Sequence, residues 1–284
     1  AERPKPGHGP EIVAGAGSAD VVGRVGSIYC KWSDPSNRGD RLVDGKDLCN
    51  AKRPKLDDDN CTRLCVDHLV WAVNSLPEGI DAVEKLTGIR PCVGGQHLGL
   101  GTHNALLSLG DSVYLEILAA DPSQPPGACW LGVDSEELPR LTTFCARRLD
   151  GSGDIEEVIN HARTTAKYDA GPVKDCSRKT PDGRELRWRL AASNHNVGFS
   201  QLPGGGLVPF IIDWSPCSMP HPSKASPAGC RLLALRAWHP DLQEVTKTTN
   251  ALSANDCFTD GISYGPMARL EATFDTPNGI VTLS

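Results

Sequence analysis

The chain has 284 residues, and its 29 Lys and Arg against 35 Asp and Glu give a formal net charge of −6. This negative balance argues against a general nucleic-acid-binding protein, because contacts to phosphates need a clustered basic surface. No stretch of the sequence approaches the roughly 18 consecutive apolar residues that indicate a membrane span, so we expect neither a nucleic-acid partner nor membrane insertion.

The first 64 residues differ in composition from the rest. Residues 1–23 are rich in Pro and Gly, and residues 24–64 are polar and rich in Asp, which predicts an irregular N-terminal extension. Four of the eleven cysteines occur at or before position 65, namely Cys30, Cys49, Cys61 and Cys65. Disulfides there would place the protein in an oxidising compartment such as the secretory pathway or an organelle lumen. The alternative is free thiols in the cytoplasm, and the sequence leaves the compartment open.

The first ordered unit begins where the apolar residues begin. Residues 66–73 are apolar and β-branched, as in a buried strand, although Asp67 and His68 interrupt them. A helix is predicted next, with Pro77 in its first turn and Gly88 at its end. The unit is completed by strands at 89–93, 103–109 and 112–119, with a glycine-rich loop at 94–101.

The same β-α-β-β-β order recurs, as an internal repeat of roughly 75 residues. Its predicted elements are a strand at 141–149, a helix at 154–166, and strands at 172–177, 185–191 and 207–214. Two such units can pair their open sheets into one curved surface, on which the first and last strands of each unit direct side chains into a shared cleft.

A partial third unit follows, with a strand at 231–238, a helix at 241–252, and strands at 269–274 and 279–283. The sequence therefore predicts an α+β protein in which paired βαβββ modules form a curved-sheet cup. We place the extension at 1–64, the paired modules at 65–215, and a C-terminal βαββ extension, packed on the same domain, at 216–284.

Three polar side chains stand inside predicted strands. His68 lies in the first strand of the first unit, Glu116 in its last strand, and Asp213 in the last strand of the second unit. A carboxylate among large apolar residues is costly to bury unless it is paired, hydrogen-bonded or bound to metal. An imidazole with carboxylates suits a divalent metal with open positions, or acid–base chemistry without one.

Further candidates surround the glycine-rich loop and the second unit. His103 starts an inner strand, where it is a candidate general base, substrate contact or replacement ligand, and His97 is a candidate substrate contact. Asn104 is a third candidate, although alternation places it on the other strand face from His103. In the second unit, Arg189 could clamp an anionic substrate and Trp214 could stack on one.

Several segments resemble the glyoxalase-like domain of the vicinal oxygen chelate superfamily. They are residues 67–73, 94–106 (GGQHLGLGTHNAL), 114–116, 187–190, 209–214 and 270–279, which together spread the similarity over about residues 65–284. The resemblance implies paired βαβββ modules that form a cup, with metal ligands on the first and last strand of each module in those members that use metal.

Carried over residue by residue, the resemblance makes His68, Glu116 and Asp213 the metal ligands. The fourth ligand place falls near residues 143–145, where Cys145 could bind a soft metal. The residues themselves make His103, Glu116 and Asp213 the candidate catalytic groups, and a divalent ion such as Fe, Mn, Ni or Zn is a candidate cofactor.

The leading hypothesis is a small-molecule enzyme of the glyoxalase-like type, a lyase, isomerase or dioxygenase, assisted by a metal that chelates vicinal substrate oxygens. The alternative is a metal-free protein that binds or sequesters a small ligand in the same cup. We expect a monomer or a homodimer in either case.

Overall fold

The computed structural model describes residues 63–125, 130–133, 137–151, 154–180, 183–192, 195 and 197–284. Nearly all of the predicted N-terminal extension lies outside these residues. The first module consists of β1 (Leu64–Ala72), α1 (Leu76–Thr87), β2 (Cys92–His97), β3 (Thr102–Ser108) and β4 (Tyr114–Ala120). The second module consists of β5 (Arg140–Arg148), α2 (Ile155–Thr165), β6 (Lys174–Lys179), β7 (Glu185–Ala191) and β8 (Phe210–Asp213).

Local sequence explains where these elements begin and end. All nine residues of β1 are buried, as expected for a strand at the centre of a sheet. Helix α1 has Pro77 in its first turn and ends at Gly88, which adopts a left-handed conformation with φ of 79°. Helix α2 begins at Asp154, whose side chain accepts a hydrogen bond from the Glu157 backbone N–H.

The two modules form one eight-stranded sheet with the strand order β2-β3-β4-β1-β5-β8-β7-β6. In each module the first and last strands run parallel, β1 with β4 and β5 with β8, and β1 pairs antiparallel with β5 at the centre. The sheet curls until its edge strands β2 and β6 contact each other. This arrangement confirms the predicted α+β cup of paired βαβββ modules.

Side chains of the central strands divide between two faces. One face, with Leu69 and Trp71 of β1, Leu115 and Ile117 of β4 and Phe144 of β5, packs in the main core with the helices. The opposite face, with Val70, Leu118, Cys145, Phe210 and Ile212, forms a second cluster inside the cup. The strand alternation therefore decides which residues can meet a ligand.

One predicted element is displaced in the first module. The strand expected at 89–93 lies instead at Cys92–His97, so Gly94 and Gly95 are within β2 and only 98–101 turn. The neighbouring strand β3 explains why glycine stands inside β2, because a Cβ on Gly94 would stand 2.3 Å from Oδ1 of Asn104. Because Gly94 has no side chain, the Asn104 side chain of β3 can pack directly against the backbone of β2.

The C-terminal unit forms a separate sheet. After the short helix α3 (Pro222–Ala225) come β9 (Arg231–His239), α4 (Leu242–Ala251), β10 (Ile262–Tyr264), β11 (Arg269–Thr276) and β12 (Gly279–Leu283), in the order β10-β9-β11-β12. The three-residue strand β10 was not predicted. Buried side chains of this unit, such as Leu235 and Phe274, belong to the same core cluster as those of β1 and β4.

Two further sequence predictions concern cysteines and membranes. Cys30, Cys49 and Cys61 lie outside the described residues, and no disulfide joins the cysteines within them. None of the helices in the described ranges combines the length and the apolar character that crossing a membrane requires.

Candidate functional site

The concave face of the eight-stranded sheet encloses a cavity of about 730 Å³. Its polar lining comes from both modules. The first supplies His68, His97, Asn104, Tyr114 and Glu116, and the second supplies Asp175, Ser177, Arg178 and Glu185 from β6 and β7. Its apolar wall includes Trp130, Trp188, Phe210, Ile212 and Trp214. A mainly apolar cavity with a few convergent polar groups is typical of a small-molecule site.

A β-bulge in β1 brings two consecutive polar side chains to the cavity side. Val66 pairs with Ala146 and His68 pairs with Cys145, so Asp67 is the additional residue between two adjacent partners. The core face of β1 accordingly changes from even positions such as Val66 to odd positions such as Leu69. Bulges of this kind re-aim side chains next to functional sites. Here the bulge allows Oδ1 of Asp67 to lie 2.7 Å from Nδ1 of His68.

Asp67 is fully buried and has partners on both carboxylate oxygens. Besides the Nδ1 contact, Oδ2 accepts a hydrogen bond from the Trp214 indole at 3.0 Å and lies 3.0 Å from Nε2 of His221 and 3.5 Å from Nε of Arg147. Burial alone would raise the pKa of Asp67, but the hydrogen bonds with His221 and His68 outweigh it and hold the pKa well below its usual range. The carboxylate is therefore charged, and it fixes the Nδ1 proton of His68.

Glu116 forms the second carboxylate of the site, on β4 beside His68. Oε2 of Glu116 lies 3.6 Å from Nε2 of His68, and Oε1 lies 3.7 Å from Nε2 of His97. The Asn104 amide donates a 2.6 Å hydrogen bond to Oε1 and also lies 3.3 Å from Nε2 of His97. Burial, with a smaller contribution from Arg178, lowers the pKa of His97 and keeps its imidazole neutral. The cavity floor is thus a connected array of two imidazoles, one amide and one carboxylate.

Two of these floor residues fit a divalent metal ion. Separations of 3.6 and 3.7 Å between the Glu116 oxygens and the two imidazole nitrogens are those of atoms that each bind one ion at about 2.1 Å. An imidazole with a carboxylate is a donor set that suits Fe, Mn or Zn. Ligand atoms of His68, His97 and Glu116, one from each, do not all come within 4.8 Å of one another, so the pair formed by Nε2 of His97 and Oε1 of Glu116 could hold such an ion, with positions open toward the cavity.

A second group of possible ligands lies deeper. One atom each of Asp67, His68 and Cys145 lie within 4.8 Å of one another. However, both oxygens of Asp67 already have hydrogen-bond partners, and burial raises the pKa of the Cys145 thiol well above its usual value. A neutral buried thiol is a poor ligand, so this cluster is a poor metal site as it stands, although its three ligand atoms converge.

Asp213 does not face the cavity. Because Phe210 and Ile212 of β8 face the cup, Asp213 lies on the other face, toward α2. There it accepts a 2.7 Å hydrogen bond from Nε of Arg189, whose Nη1 also bonds to Glu156 of α2. The predicted metal ligand and the predicted anion clamp are thus partners in an ion pair behind the sheet, and Ile212 has the cup-facing position.

Strand alternation divides the remaining candidates into residues that line the cavity and one that does not. Asn104, His97 and Trp214 line the cavity, whereas His103, on the other face of β3 from Asn104, is not among the lining residues. Sequence reasoning missed the roles of Asp67, Tyr114, His221 and Arg178. In the sequence, Asp67 is only a polar residue that interrupts an apolar strand. The sequence pattern gave no reason to assign a role to Tyr114, His221 or Arg178.

Comparison with known families identifies one family whose model covers most of the described chain. The model of a family described as the glyoxalase-like domain matches residues 66–253, about two thirds of the chain, and confirms the resemblance seen in the sequence. A search of curated protein sequences finds no significant match.

Several solved structures are similar at low identity. Methylmalonyl-CoA epimerase from Mycobacterium tuberculosis is 17% identical, with 54% of this chain and 89% of that chain covered and a TM-score of 0.35. A Streptomyces coelicolor methylmalonyl-CoA epimerase variant in complex with 2-nitronate-propionyl-CoA is 14% identical, with 55% and 97% covered and a TM-score of 0.33. A glyoxalase I mutant from Zea mays is 13% identical, with 78% and 93% covered and a TM-score of 0.20. Similarities of this size carry no information about the substrate or reaction of the present chain.

Proposed function

The chain belongs to the glyoxalase-like domain family, and we propose that it is a small-molecule enzyme that removes and returns a proton next to a substrate carbonyl group. The observation that carries this proposal is the array Asp67–His68–Glu116, in which a buried carboxylate holds Nδ1 of an imidazole whose Nε2 faces the cavity. Isomerase and lyase reactions on compounds with vicinal oxygens both begin with such a proton transfer.

His68 is the general base in this proposal. Since charged Asp67 accepts the Nδ1 proton, the lone pair of the neutral imidazole is at Nε2. Nε2 accepts the proton from the carbon beside the carbonyl, and the electron pair of the broken C–H bond forms a C=C bond with the carbonyl carbon. The π electron pair of the carbonyl group moves to its oxygen, and Asp67 stabilises the imidazolium that forms. The same proton then returns to the neighbouring carbon or oxygen.

Glu116 is the carboxylate that assists His68 at the cavity floor. The Asn104 amide holds Oε1, which leaves Oε2 directed toward His68. We propose that this carboxylate stabilises the protonated imidazole and positions the substrate hydrogen between the two groups. Trp130, Trp188 and Phe210 line the cavity beside these groups, and an apolar surrounding strengthens electrostatic interactions.

A divalent metal held by His97 and Glu116, which leaves Nε2 of His68 free as the base, would supply Lewis-acid stabilisation of the substrate oxyanion. Elemental analysis of protein purified without chelator or affinity metal tests this part of the proposal. We expect near-stoichiometric Fe, Mn, Ni or Zn in the wild type, lost in His97→Ala and in Glu116→Gln. The absence of metal after reconstitution with each ion would remove Lewis-acid assistance and leave His68 and Glu116 to act alone.

Deuterium exchange tests the proton transfer itself. Phenylpyruvate carries vicinal oxygens and has benzylic hydrogens beside its carbonyl, whose exchange in deuterium oxide is followed by proton NMR. We expect the wild type to accelerate this exchange above the buffer rate, and we expect His68→Gln and Glu116→Gln to bind the probe without accelerating it. Exchange at the buffer rate in a wild-type protein that binds the probe would overturn the proposal.

That outcome would favour the alternative, a protein that binds or sequesters a small ligand without turnover. One observation supports this second candidate: among the described residues of β5 and β8, the side chains that face the cup are the protonated Cys145 and the apolar Phe210 and Ile212, without an imidazole or a carboxylate that lines the cavity.

A further inference from the structure

An arginine on the edge strand β6 has a buried donor without a partner. Nη1 of Arg178 is buried, and it has no hydrogen-bond partner among the described residues. The residue is part of the cavity lining, on the side where β6 contacts β2. Burying a charged donor without an acceptor is unfavourable, and native proteins rarely tolerate it without a reason.

The neighbouring carboxylates do not explain this burial. Glu185 lines the same cavity but forms an ion pair with Arg187 at 2.7 Å. Oε1 of Glu116 accepts its hydrogen bond from Asn104. Within the described part of the chain, no ion pair joins Arg178 to Asp175, the third carboxylate of the lining. An acceptor for Arg178 must therefore come from outside these side chains.

The charge of Arg178 acts on the cavity floor. It contributes to the lowered pKa of His97, after the larger effect of burial, and it opposes the burial that raises the pKa of Tyr114. Arg178 thus lies on the same side of the cavity as the groups around Glu116. An anion bound there would present its adjacent atoms to the array of His68 and Glu116.

We propose that the Arg178 guanidinium binds the carboxylate of a monoanionic substrate with an aromatic or otherwise apolar body, a proposal that rests on the proposed function and names its substrate class. A guanidinium suits a carboxylate because its planar donors match both oxygens. Among the described residues of the lining, Arg178 is the only Arg or Lys, beside three carboxylates, so a single negative charge fits better than a dianionic phosphate. The apolar body matches the wall at Trp188 and Trp214, whose ring centroids are 5.7 Å apart.

Binding measurements with a matched pair of probes test this inference. Quenching of tryptophan fluorescence gives Kd for phenylpyruvate and for its neutral methyl ester. The proteins compared are the wild type, Arg178→Gln, Arg178→Lys and the control Lys174→Gln, which removes an exposed charge from the same strand. Far-UV circular dichroism and thermal unfolding verify that each variant is folded.

We expect the wild type and Lys174→Gln to bind the acid more tightly than the ester. In Arg178→Gln, Kd for the acid should rise about 10-fold or more while Kd for the ester is unchanged, and Arg178→Lys should give an intermediate value. No preference for the acid in the wild type, or a preference that survives in Arg178→Gln, would overturn the inference.

If the preference depends on Arg178 but no exchange is accelerated, the proposed proton transfer fails and the carboxylate site stands. If exchange is accelerated without the preference, the carboxylate site alone fails.

Discussion

Asp67 and His68 are consecutive residues of one strand, yet Oδ1 of the first lies 2.7 Å from Nδ1 of the second. In a regular strand these side chains would point to opposite faces of the sheet. The bulge between the pairs Val66–Ala146 and His68–Cys145 removes this restriction. It therefore couples a fully buried carboxylate to an imidazole that borders the cavity.

Substitution Asp67→Asn tests this coupling. Asparagine retains the volume but removes the charge that holds the Nδ1 proton, so Nε2 becomes a weaker proton acceptor. We expect deuterium exchange on phenylpyruvate to slow by about 100-fold, with Kd for the probe changed little. Asp81→Asn, which removes an exposed carboxylate from α1, should leave both quantities unchanged. A slowing of less than about 3-fold in Asp67→Asn would show that His68 does not need this partner.

Gly94→Ala tests how the Asn104 amide reaches Glu116. The backbone of Gly94 is not in the left-handed region, but an added Cβ would stand 2.3 Å from Oδ1 of Asn104. Asn104 must then move away from Glu116, so we expect the exchange rate to fall, together with about 1–3 kcal/mol of the free energy of unfolding. Urea denaturation measures the second effect.

The double variant Gly94→Ala/Asn104→Ala isolates the clash. Removing the Asn104 amide leaves room for the new methyl group, so the two losses of stability should not add. An additive result would mean that Gly94 is needed for another reason. The exchange rate of the double variant should match that of Asn104→Ala alone, because the amide is absent from both proteins.

The sequence predicted the architecture well because the pattern of apolar residues is strong in each strand. Strand β1 and helix α1 were found within two residues of their observed ends, and the repeat of the β-α-β-β-β order predicted the pairing of the two modules. The displacement of β2 had a local cause. Gly94 and Gly95 indicate a turn when read alone, and only the presence of Asn104 on the neighbouring strand explains glycine inside a strand.

The candidate site was predicted less completely than the fold. The face of the sheet on which a residue lies changes at every position, so it cannot be assigned from the sequence without the exact ends of the strand and the position of any bulge. Asp213 was placed in the cup, but β8 presents Ile212 there and turns Asp213 toward Arg189. The bulge in β1 had the opposite effect, since it brought Asp67 to the site. Arg178 is on an edge strand without apolar alternation, so only the curling of β6 onto β2 revealed that it lines the cavity.

Cys145→Ala distinguishes the two possible metal positions. If an ion binds at the cavity floor through His97 and Glu116, metal content after reconstitution should be unchanged in Cys145→Ala and reduced in His97→Ala. Because burial raises the pKa of Cys145 well above its usual value, the native thiol should also resist alkylation at pH 8. Loss of metal in Cys145→Ala with retention in His97→Ala would instead place the ion in the deeper cluster.

Stability in mild acid should depend on His195, which is 1% exposed. Burial lowers its pKa from 6.5 to about 4, and Nε2 lies 2.9 Å from the Val208 carbonyl oxygen. Since the unfolded chain binds a proton at this site below pH 6.5 and the folded protein does not until about pH 4, the contribution to stability is complete above pH 6.5 and is lost as the pH falls toward 4. Between pH 7.5 and 4.5 this amounts to about 2–3 kcal/mol of the free energy of unfolding.

Urea denaturation at these two pH values checks the effect in wild type and His195→Gln. The glutamine amide can still donate to Val208, but it does not titrate, so the variant should lose about 2–3 kcal/mol less than the wild type over this interval. His97, whose pKa is also lowered, contributes to the loss in both proteins and cancels from the difference. Asp67 does not interfere, because its depressed pKa affects stability only below the ordinary carboxyl pKa of 3.8. His161→Gln, at an exposed position of α2, should follow the wild type. Equal pH dependence in wild type and His195→Gln would mean that His195 accepts a proton in the folded protein.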